Sequence, residues 1–264
     1  MINTLSRVIE AVPLMAQPKF RKQAFASAER AARRALPLGA RRWLARGTTN
    51  YCPICESHVS EFRGFGNNHK VWCPVCGSMP WHRIAWLYFQ KHTTLFDGSP
   101  KTLLHIAPEP ELAKRFLSVP GMNYLPVDLD TRRPFVTERM DITEIGYPAD
   151  SFDGILCSHV LEHIPDDRKA MRELCRVLKP GGWALFMVPL HGKPTEEDPN
   201  CTDPRERERR FGQFDHVRSY GIDLVQRLEE SGFTVTVING PELTKTRDDA
   251  DRMVIWGKAF VCSK

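Results

Sequence analysis

Apolar runs typical of buried strands alternate with helix-like segments through most of this chain. The sequence predicts strands at residues 102–107, 122–128, 135–141, 151–160, 183–190, 233–238 and 252–262. It predicts helices between them at residues 110–117, 166–178 and 221–232. Such alternation is typical of an α/β fold, with helices packed on both faces of a parallel sheet. No clear helix fits between the last two predicted strands, so we expect the last strand to run antiparallel to its neighbour.

Four of the eight cysteines form two Cys-x-x-Cys pairs before this alternating region. Cys52 and Cys55 make the first pair, and Cys73 and Cys76 follow after seventeen residues. Each pair can present two thiolates from one tight turn, and a hairpin between the turns completes a tetrahedral zinc site. The alternative, two disulfides, is disfavoured in a cytoplasmic chain. The spacing therefore predicts a zinc-ribbon module whose Zn²⁺ is structural, because four cysteine ligands leave no open coordination position.

The positive charge of the chain is concentrated at its N-terminal end. The net charge is +5, yet residues 1–50 contain ten basic and two acidic residues, and the remainder contains 27 basic and 30 acidic residues. Phe25, Ala28, Ala32 and Leu36 are spaced as on one face of a helix. We therefore expect a basic helical arm. It either docks on anionic membrane lipid or nucleic acid, or packs on its own body with a solvated basic side.

The composition is that of a soluble globular protein, with 42% apolar and 26% charged residues. The sequence contains no apolar run of the ~18 residues that a membrane span needs, and no secretory signal pattern. We therefore expect no transmembrane segment and a cytoplasmic location. The predicted domains are the basic arm at 1–49, the zinc ribbon at 50–80 and the α/β domain at 81–264, which includes a lid or substrate segment at 190–218.

Aspartates end two successive predicted strands of the α/β domain. Asp128 ends the second strand and Asp141 ends the third. Doubly wound sheets bind ligands beyond the carboxyl ends of their central strands. A carboxylate about 20 residues after the first strand-to-helix turn is placed to accept hydrogen bonds from both hydroxyls of a ribose. Asp141 could accept from an exocyclic amine. Either aspartate alone could be a turn former or a helix cap, so the prediction depends on their order.

The block DITEIGYPADSFDGILCSHVLEHIPDDRKAMRELCRVLKPGGW, residues 141–183, resembles the class I S-adenosylmethionine-dependent methyltransferases, type 11-like. The resemblance extends from about residue 102 to 262. It implies a Rossmann-like, seven-stranded, doubly wound sheet with an antiparallel last strand, and S-adenosyl-L-methionine as cofactor. The cofactor-binding residues that it implies are Asp128 with Leu129 at the ribose, Asp141 and Ile142 at the adenine, and Ser158 and His159 at the methyl end.

The first loop departs from the family's pattern, which has an acid followed by three glycines at alternate positions. In LLHIAPEPEL, residues 103–112, His105 takes the place of the acid, and Ala107, Glu109 and Glu111 take the places of the glycines. In a dinucleotide fold such glycines let the backbone approach a pyrophosphate. The methyl donor has no phosphate.

We therefore interpret the stretch as a variant cofactor loop. Pro108 and Pro110 stiffen the turn, Ala107 is small enough for close approach, and Glu109 meets the ammonium or the sulfonium charge of the cofactor. A decayed cofactor site is the alternative.

The polar segment after the fifth predicted strand is expected to cover the methyl group. The candidate substrate-binding residues are Phe211, Phe214, Arg218 and Tyr220, and the candidate catalytic histidines are His216, His191 and His159. A histidine with a pKa near ~6.5 suits removal of a proton from the acceptor, and Arg218 would bind an anionic substrate group. Each histidine could equally tie the segment to the body of the protein.

Three functions compete at this point. The leading hypothesis is a methyltransferase that acts on an oxygen, nitrogen or sulfur nucleophile of a small-molecule or cell-surface precursor. The second is an RNA methyltransferase of the ribosomal-RNA type, in which the zinc ribbon and the basic arm bind phosphates; the net acidic charge beyond residue 50 argues against it. The third is a catalytically silent zinc-binding scaffold.

Overall fold

The computed structural model describes residues 28–29, 31–33, 35–65 and 68–264. Its elements in chain order are α1 (Leu38–Ala45), β1 (Arg46–Cys52), β2 (Ser57–Val59), β3 (Arg63–Phe65), β4 (Asn68–Trp72), α2 (Pro80–His92), β5 (Lys101–Ile106), α3 (Pro110–Phe116), β6 (Met122–Asp128), β7 (Glu138–Arg139), β8 (Phe152–Ser158), α4 (Asp167–Val177), β9 (Leu178–Met187), β10 (Glu196–Glu197), α5 (Pro204–Phe211), β11 (Arg218–Ser219), α6 (Leu224–Glu230), β12 (Thr234–Asn239), α7 (Arg247–Met253) and β13 (Lys258–Ser263). Among the described residues, every helix falls short of the length and apolarity that a bilayer crossing requires.

Two compact units make up the chain. The first contains Met1–Trp86 and Thr244–Ile255, and the second contains Leu87–Leu243 and Trp256–Lys264. Residues 244–255, which were predicted to lie in the α/β domain, group with the first unit. The reason is long-range hydrogen bonding, because Asn50 Nδ2 donates to the carbonyl of Arg252 over 2.9 Å and Arg83 Nη2 donates to that of Val254 over 3.0 Å.

The first unit contains two short antiparallel hairpins, β1 with β2 and β3 with β4. Of the predicted basic arm, residues 28–29, 31–33 and 35 are helical, and α1 follows. Residues 1–27, 30 and 34, which include Phe25 of the predicted apolar face, lie outside the described residues. The structure therefore bears on only the last part of that prediction.

A seven-stranded sheet forms the centre of the second unit, in the order β12-β13-β9-β8-β5-β6-β7. The strands from β9 to β7 in this order are parallel to their neighbours, and β13 is antiparallel to both β9 and β12. This arrangement confirms the predicted doubly wound sheet with an antiparallel last strand. The chain leaves β5 first towards β6 and later towards β8, so the strand order reverses at the carboxyl end of β5, where such sheets bind ligands.

The central strands are buried because helices cover the sheet. Alternate residues of β5, β8 and β9 belong to one apolar core: Leu104, Ile106, Ile155, Cys157, Ala184 and Phe186. This period of two is that of side chains on one face of a sheet. Ala170, Met171 and Leu174 of α4 join the same core at helical spacing. Helix α4 begins where the Asp166 carboxylate accepts a hydrogen bond from the Lys169 amide over 2.9 Å, an N-cap.

Two predicted strands are shorter than the apolar pattern indicated. The third, predicted at 135–141, is reduced to Glu138–Arg139, because Pro134 and the left-handed Phe135 (φ 72°) belong to the preceding turn. The last was predicted to begin at residue 252 but begins at Lys258. Before it lies α7, a helix that we did not predict, which begins where Thr246 Oγ1 accepts from the Asp249 amide over 3.1 Å.

Candidate functional site

The carboxyl ends of three parallel strands place the first loop, Asp128 and Ser158 at one edge of the sheet. Ala107 directly follows β5, and its amide donates to the carbonyl of Val127 in β6 over 2.8 Å. On the other side of β5, His159 directly follows β8, and its amide donates to the carbonyl of Met187 in β9 over 2.8 Å. The residues predicted to meet the cofactor therefore lie on neighbouring strand ends.

Two non-glycine residues at this edge adopt left-handed backbone. Ala107 has a φ of 51° and His159 has a φ of 54°. Side-chain-bearing residues rarely adopt this conformation, which costs roughly 1–3 kcal/mol and is concentrated at functional sites. Ala107 thus adopts the left-handed conformation that a glycine would ordinarily adopt after the first strand. Its small methyl side chain keeps the turn accessible.

The His105 ring is fully buried and connects two side chains. Its Nδ1 lies 2.8 Å from Tyr124 Oη, and its Nε2 lies 2.7 Å from Glu109 Oε2. Burial, and next the charge of Glu109, raise the pKa of Tyr124 well above its usual range, so its hydroxyl stays protonated. His105, predicted as a cofactor-binding residue, thus has 0% exposure and both ring nitrogens engaged, and it orients Glu109.

The first loop is poor in amide donors. Pro108 and Pro110 have no N–H, and Pro110 occupies the first position of α3. A pyrophosphate-binding turn needs several amides directed at the ligand, and this turn removes two of them while adding the carboxylate of Glu109. The loop therefore suits a ligand that carries positive charge rather than phosphate.

The two strand-end aspartates differ in their surroundings. Asp128 Oδ1 accepts from the Asp130 amide over 2.9 Å, and Oδ2 accepts from Arg133 Nη1 over 2.6 Å. The Arg133 side chain is 52% exposed, whereas that of Asp128 is 12% exposed. An incoming hydroxyl can therefore replace the guanidinium at Oδ2 by displacing only a solvent-facing group.

Asp141 lies two residues past the end of β7. Its Oδ1 accepts from both the amide and the hydroxyl of Thr143, each over 2.8 Å. These hydrogen bonds lower the pKa of Asp141, so the group is a charged acceptor at neutral pH. The neighbouring Ile142 side chain is buried, and Leu129 beside Asp128 is half exposed.

Glu162, in the segment after β8, is a buried acid that was not predicted as a site residue. Glu162 is 1% exposed, and neither of its carboxylate oxygens has a hydrogen-bond partner among the described residues. Its Oε1 lies 3.3 Å from His159 Nδ1. The Oγ of Ser158 is also buried without a partner in the described part of the chain. The motif LEHIPD was visible in the sequence, but burial of its glutamate was not.

Residues 190–218 contain β10, α5 and β11, so the predicted lid segment has regular structure. Helix α5 is capped by Asp203, whose carboxylate accepts from the amides of Arg205 and Glu206, and it ends at the left-handed Gly212 (φ 91°). Phe214, beyond this end, is 58% exposed and can contact a ligand. Phe211 is fully buried and packs under Arg210, with the guanidinium 5.0 Å from the ring centroid.

Arg218 and Tyr220 are structural residues. Arg218 is 3% exposed, and its nitrogens donate to Glu197 Oε2 and to the carbonyls of Leu161, Ile164 and Pro165. Tyr220 is fully buried, and its hydroxyl donates to Asp167 Oδ2 over 2.6 Å. The three residues Arg218, Tyr220 and Phe211, which were predicted to bind substrate, are thus enclosed by protein.

The three candidate catalytic histidines have different environments. His216 is 6% exposed, its Nδ1 lies 2.9 Å from the Phe211 carbonyl, and burial lowers its pKa. His191 is exposed, and its Nδ1 lies 2.6 Å from Ser219 Oγ. His159 is partly exposed at the strand edge. His159 is therefore the candidate that combines a left-handed backbone, partial exposure and a nearby carboxylate.

In the first unit, the four paired cysteines form one cluster. Cys52 Sγ lies 3.7 Å from Cys76 Sγ, Cys55 Sγ lies 3.7 Å from Cys73 Sγ, and all four sulfurs are within 4.8 Å of one another. A disulfide would need ~2.05 Å, whereas the edge of a tetrahedron with ~2.3 Å metal–sulfur bonds is ~3.8 Å. The cluster therefore has the dimensions of a tetrathiolate metal site.

The turns that carry the cysteines match each other. Each pair is followed by a residue with left-handed backbone, Glu56 (φ 53°) after the first and Gly77 (φ 86°) after the second. The amide of Gly77 donates to the carbonyl of Cys73 over 2.8 Å, which closes the second turn. The two Cys-x-x-Cys segments thus fold in the same way and bring their thiols together.

Comparison with known proteins supports the resemblance of the second unit. A family model described as a methyltransferase domain matches residues 65–237, which is more than half of the chain. The chain is 24% identical over 151 residues to the ubiquinone biosynthesis O-methyltransferase of Chromobacterium violaceum, covering 50% of this chain and 62% of that protein. It is 30% identical over 101 residues to the chloroplastic 2-methyl-6-phytyl-1,4-hydroquinone methyltransferase 1 of Oryza sativa subsp. japonica, covering 38% of this chain and 24% of that protein. The chain thus spans less than two thirds of either relative.

Among solved structures, the chain resembles phosphoethanolamine N-methyltransferase 2 of Haemonchus contortus, which was solved in complex with S-adenosyl-L-methionine. The TM-score is 0.50 at 17% identity, and the match covers 70% of this chain and 52% of that chain. At this identity the likeness concerns the fold, and it agrees with the Rossmann-like architecture predicted from the sequence.

Proposed function

We propose that this chain methylates an oxygen, nitrogen or sulfur nucleophile of a small-molecule or cell-surface precursor. The chain belongs to the methyltransferase-domain family and is an S-adenosylmethionine-dependent methyltransferase. The observation that carries the proposal is the left-handed Ala107 at the end of β5, with Asp128 at the end of the neighbouring β6. This pairing supports a cofactor turn that is built without glycine. The glycine-free loop is then a working variant.

The strand-end residues would hold the cofactor by charge and hydrogen bonding. Bound S-adenosylmethionine supplies a methyl group on a sulfonium cation. Asp128 would accept hydrogen bonds from the ribose hydroxyls in place of Arg133, and Asp141 would accept one from the adenine amine. Glu109, fixed by the buried His105, supplies negative charge for the cationic end of the cofactor. The proline-flanked turn disfavours phosphate ligands at the same place, since it lacks the backbone amide donors that a phosphate needs.

His159 is the residue that we propose removes a proton from the acceptor. Its Nδ1 lies 3.3 Å from Glu162 Oε1, which leaves Nε2 as the nitrogen that would accept the proton. A carboxylate behind a histidine base also stabilises the imidazolium that forms. Phe214, which is largely exposed, provides an apolar surface for the acceptor.

A small-molecule acceptor is favoured over nucleic acid by charge. Beyond residue 50 the chain carries 27 basic and 30 acidic residues, whereas affinity for nucleic acid rests on neutralising phosphates with cations. One relative is named for ubiquinone biosynthesis and the other for a hydroquinone, which is consistent with an aromatic small molecule. RNA methylation remains an outcome of the test below.

We further propose that Cys52, Cys55, Cys73 and Cys76 hold a structural Zn²⁺. The support is the 3.7 Å sulfur separations and the paired turns. Soft thiolate ligands in tetrahedral array select Zn²⁺ among common divalent ions. A four-thiolate site leaves no open position, so the metal stabilises the first unit and takes no part in methyl transfer.

The test is calorimetric titration of the zinc-loaded protein with S-adenosylmethionine and with its demethylated product. Asp128→Ala is compared with Asp130→Ala, since Asp130 lies two residues away and bonds only its own loop through Arg132. We expect micromolar binding that is lost in Asp128→Ala and kept in Asp130→Ala. An absence of heat and of any thermal shift with either ligand would favour the silent scaffold.

A second experiment addresses the acceptor. The protein and labelled S-adenosylmethionine are incubated with a panel of phenols, amines and thiols and, separately, with total RNA. Label on a small molecule that depends on Asp128 supports the proposal, whereas label on RNA alone contradicts the proposed acceptor class.

A further inference from the structure

The carboxylate of Glu162 is buried and has no hydrogen-bond donor among the described residues. Removing an ionised carboxylate from water costs several kcal/mol unless a cation or several donors replace the lost hydration. The contact with His159, at 3.3 Å, involves only Oε1. The other oxygen also lacks a donor. A group with this burial is therefore suited to a positively charged ligand.

Two imidazoles surround this carboxylate. His163 is adjacent in sequence, His216 comes from the segment after α5, and one ligand atom from each of the three residues lies within 4.8 Å of the others. The two rings are nearly perpendicular, at 82°, with centroids 4.7 Å apart. A tetrahedral metal ~2.1 Å from each atom places the ligand atoms ~3.4 Å apart, so the longer separations in this cluster must contract when an ion binds.

The hydrogen bonding of His216 is that of a metal ligand. Its Nδ1 lies 2.9 Å from the carbonyl of Phe211, and a carbonyl can only accept, so the proton resides on Nδ1. Nε2 then carries the lone pair. Metal-binding histidines commonly donate their second nitrogen to a backbone carbonyl or carboxylate in this way, which fixes ring orientation and tautomer.

We propose that Glu162, His163 and His216 bind a divalent transition-metal ion beside the carboxyl end of β8. Two imidazoles and one carboxylate suit Fe²⁺, Co²⁺ or Zn²⁺. The doubly charged ion more than offsets the single negative charge of the buried Glu162 and leaves a net charge of about +1. Because a carboxylate has two oxygens, ligation by Glu162 and its contact with His159 are compatible.

Three protein ligands leave open coordination positions. This part of the inference rests on the proposed function, since it uses the open positions for the acceptor. A hydroxyl bound there would lose its proton more readily, because a bound divalent ion lowers the pKa of a coordinated oxygen acid. Such a site would activate a hydroxyl acceptor, and His159 would receive its proton.

Metal binding is measured directly, without methyl transfer, so that failure of this inference is separate from failure of the proposed function. The full chain is loaded with one equivalent of Zn²⁺, which the thiolates take in preference, and is then titrated with Co²⁺. We expect one further Co²⁺ per chain, with visible absorption of an imidazole–carboxylate site and no thiolate-to-cobalt charge-transfer band.

Glu162→Gln and His163→Gln should each weaken Co²⁺ binding by at least about tenfold, since each removes a ligand. His163 is half-buried, so its variant is a test that does not depend on a buried substitution being tolerated. His92→Gln removes an exposed histidine of the same unit and should leave binding unchanged. No Co²⁺ uptake beyond the thiolate site, or equal uptake by Glu162→Gln, His163→Gln and the wild type, would overturn the proposal.

Discussion

His105 Nε2 and Glu109 Oε2 are 2.7 Å apart, so a fully buried imidazole at the end of β5 fixes the carboxylate at the start of α3. The family's usual acid and first-loop glycines are replaced here by a histidine and a carboxylate that bond to each other. Tyr124 completes the group from the neighbouring strand. The loop therefore has a defined conformation although it contains no glycine.

His105→Leu keeps most of the side-chain volume and removes both hydrogen bonds. We expect the free energy of unfolding to fall by about 2 kcal/mol, because two buried polar groups lose a partner. We expect affinity for S-adenosylmethionine to fall about tenfold, equivalent to ~1.4 kcal/mol, because Glu109 is no longer oriented. Urea unfolding and calorimetry measure the two effects.

Tyr124→Phe is the matched control for this prediction. It removes the other hydrogen bond of His105 and leaves the Glu109 contact intact, so it should lower stability by about 1 kcal/mol without changing cofactor affinity. If both variants bind S-adenosylmethionine as tightly as the wild type, His105 does not act through Glu109.

Ala107→Gly should stabilise the protein. The left-handed backbone at φ 51° is strained for alanine and relaxed for glycine, so we expect a gain of about 1 kcal/mol despite the greater freedom of the unfolded chain. Ala113→Gly within α3 should have the opposite sign, a loss of about 1 kcal/mol, since glycine is a poor helix former. Denaturant midpoints of the two variants compare directly, and a loss of stability in Ala107→Gly would contradict the assigned backbone conformation.

The sequence predicted what depends on local pattern and missed what depends on contacts between distant segments. The strand that ends at Asp128 and the antiparallel last strand followed from apolar runs and from the turns between them. The burial of Arg218 did not, because it arises from carbonyls near residue 161 and from Glu197, which only the folded chain brings together. A cation beside aromatic residues gives the same sequence signal whether it meets a ligand or a carbonyl.

The first loop shows the same limit at short range. Ala107 and Glu109 were predicted to contact the cofactor, and their positions on the strand edge are consistent with that role. The partner of Glu109 was not predicted, since the rule that residues four apart face each other applies to a regular helix, whereas His105 and Glu109 lie on either side of a strand-to-helix turn. In the first unit, the cysteine spacing sufficed to predict the cluster, whereas the addition of residues 244–255 to that unit required the fold.

Treatment with a thiol-specific mercurial should release one equivalent of zinc per chain from the four-cysteine cluster. Cys76→Ser should lose this zinc, and the first unit should become less stable, because binding of a structural metal contributes folding free energy. Cys201→Ser replaces a buried cysteine outside the cluster and should retain the metal. A colorimetric chelator measures the release. Four fewer titratable thiols, with no zinc, would show instead that the pairs form disulfides.

The Glu197 carboxylate should make the second unit sensitive to acid. Hydrogen bonds from Arg227, and next from Arg218, lower the pKa of Glu197 to about 2 from its ordinary 4.5. Since the folded-state pKa lies below the unfolded-state value, the charged carboxylate contributes its full stability above about pH 4.5. That contribution is lost as the pH falls from there through about 2.

Glu197→Gln tests this dependence. The variant should be less stable than the wild type by about 1 kcal/mol at pH 7, a modest value because the Glu197 side chain is partly exposed and solvent screens the pair. The difference between the two proteins should shrink steadily between pH 5 and 3 in urea unfolding, since over this range the carboxyl group binds a proton in the unfolded wild type while it stays charged in the folded one. Glu196→Gln alters a pair with Arg210 whose carboxylate is largely exposed and should differ little from the wild type at pH 7. The difference in free energy of unfolding between Glu197→Gln and the wild type could instead stay constant down to pH 3. The charge of Glu197 would then not be required, and the two arginines would hold the strand pair β10–β11 by hydrogen bonds alone.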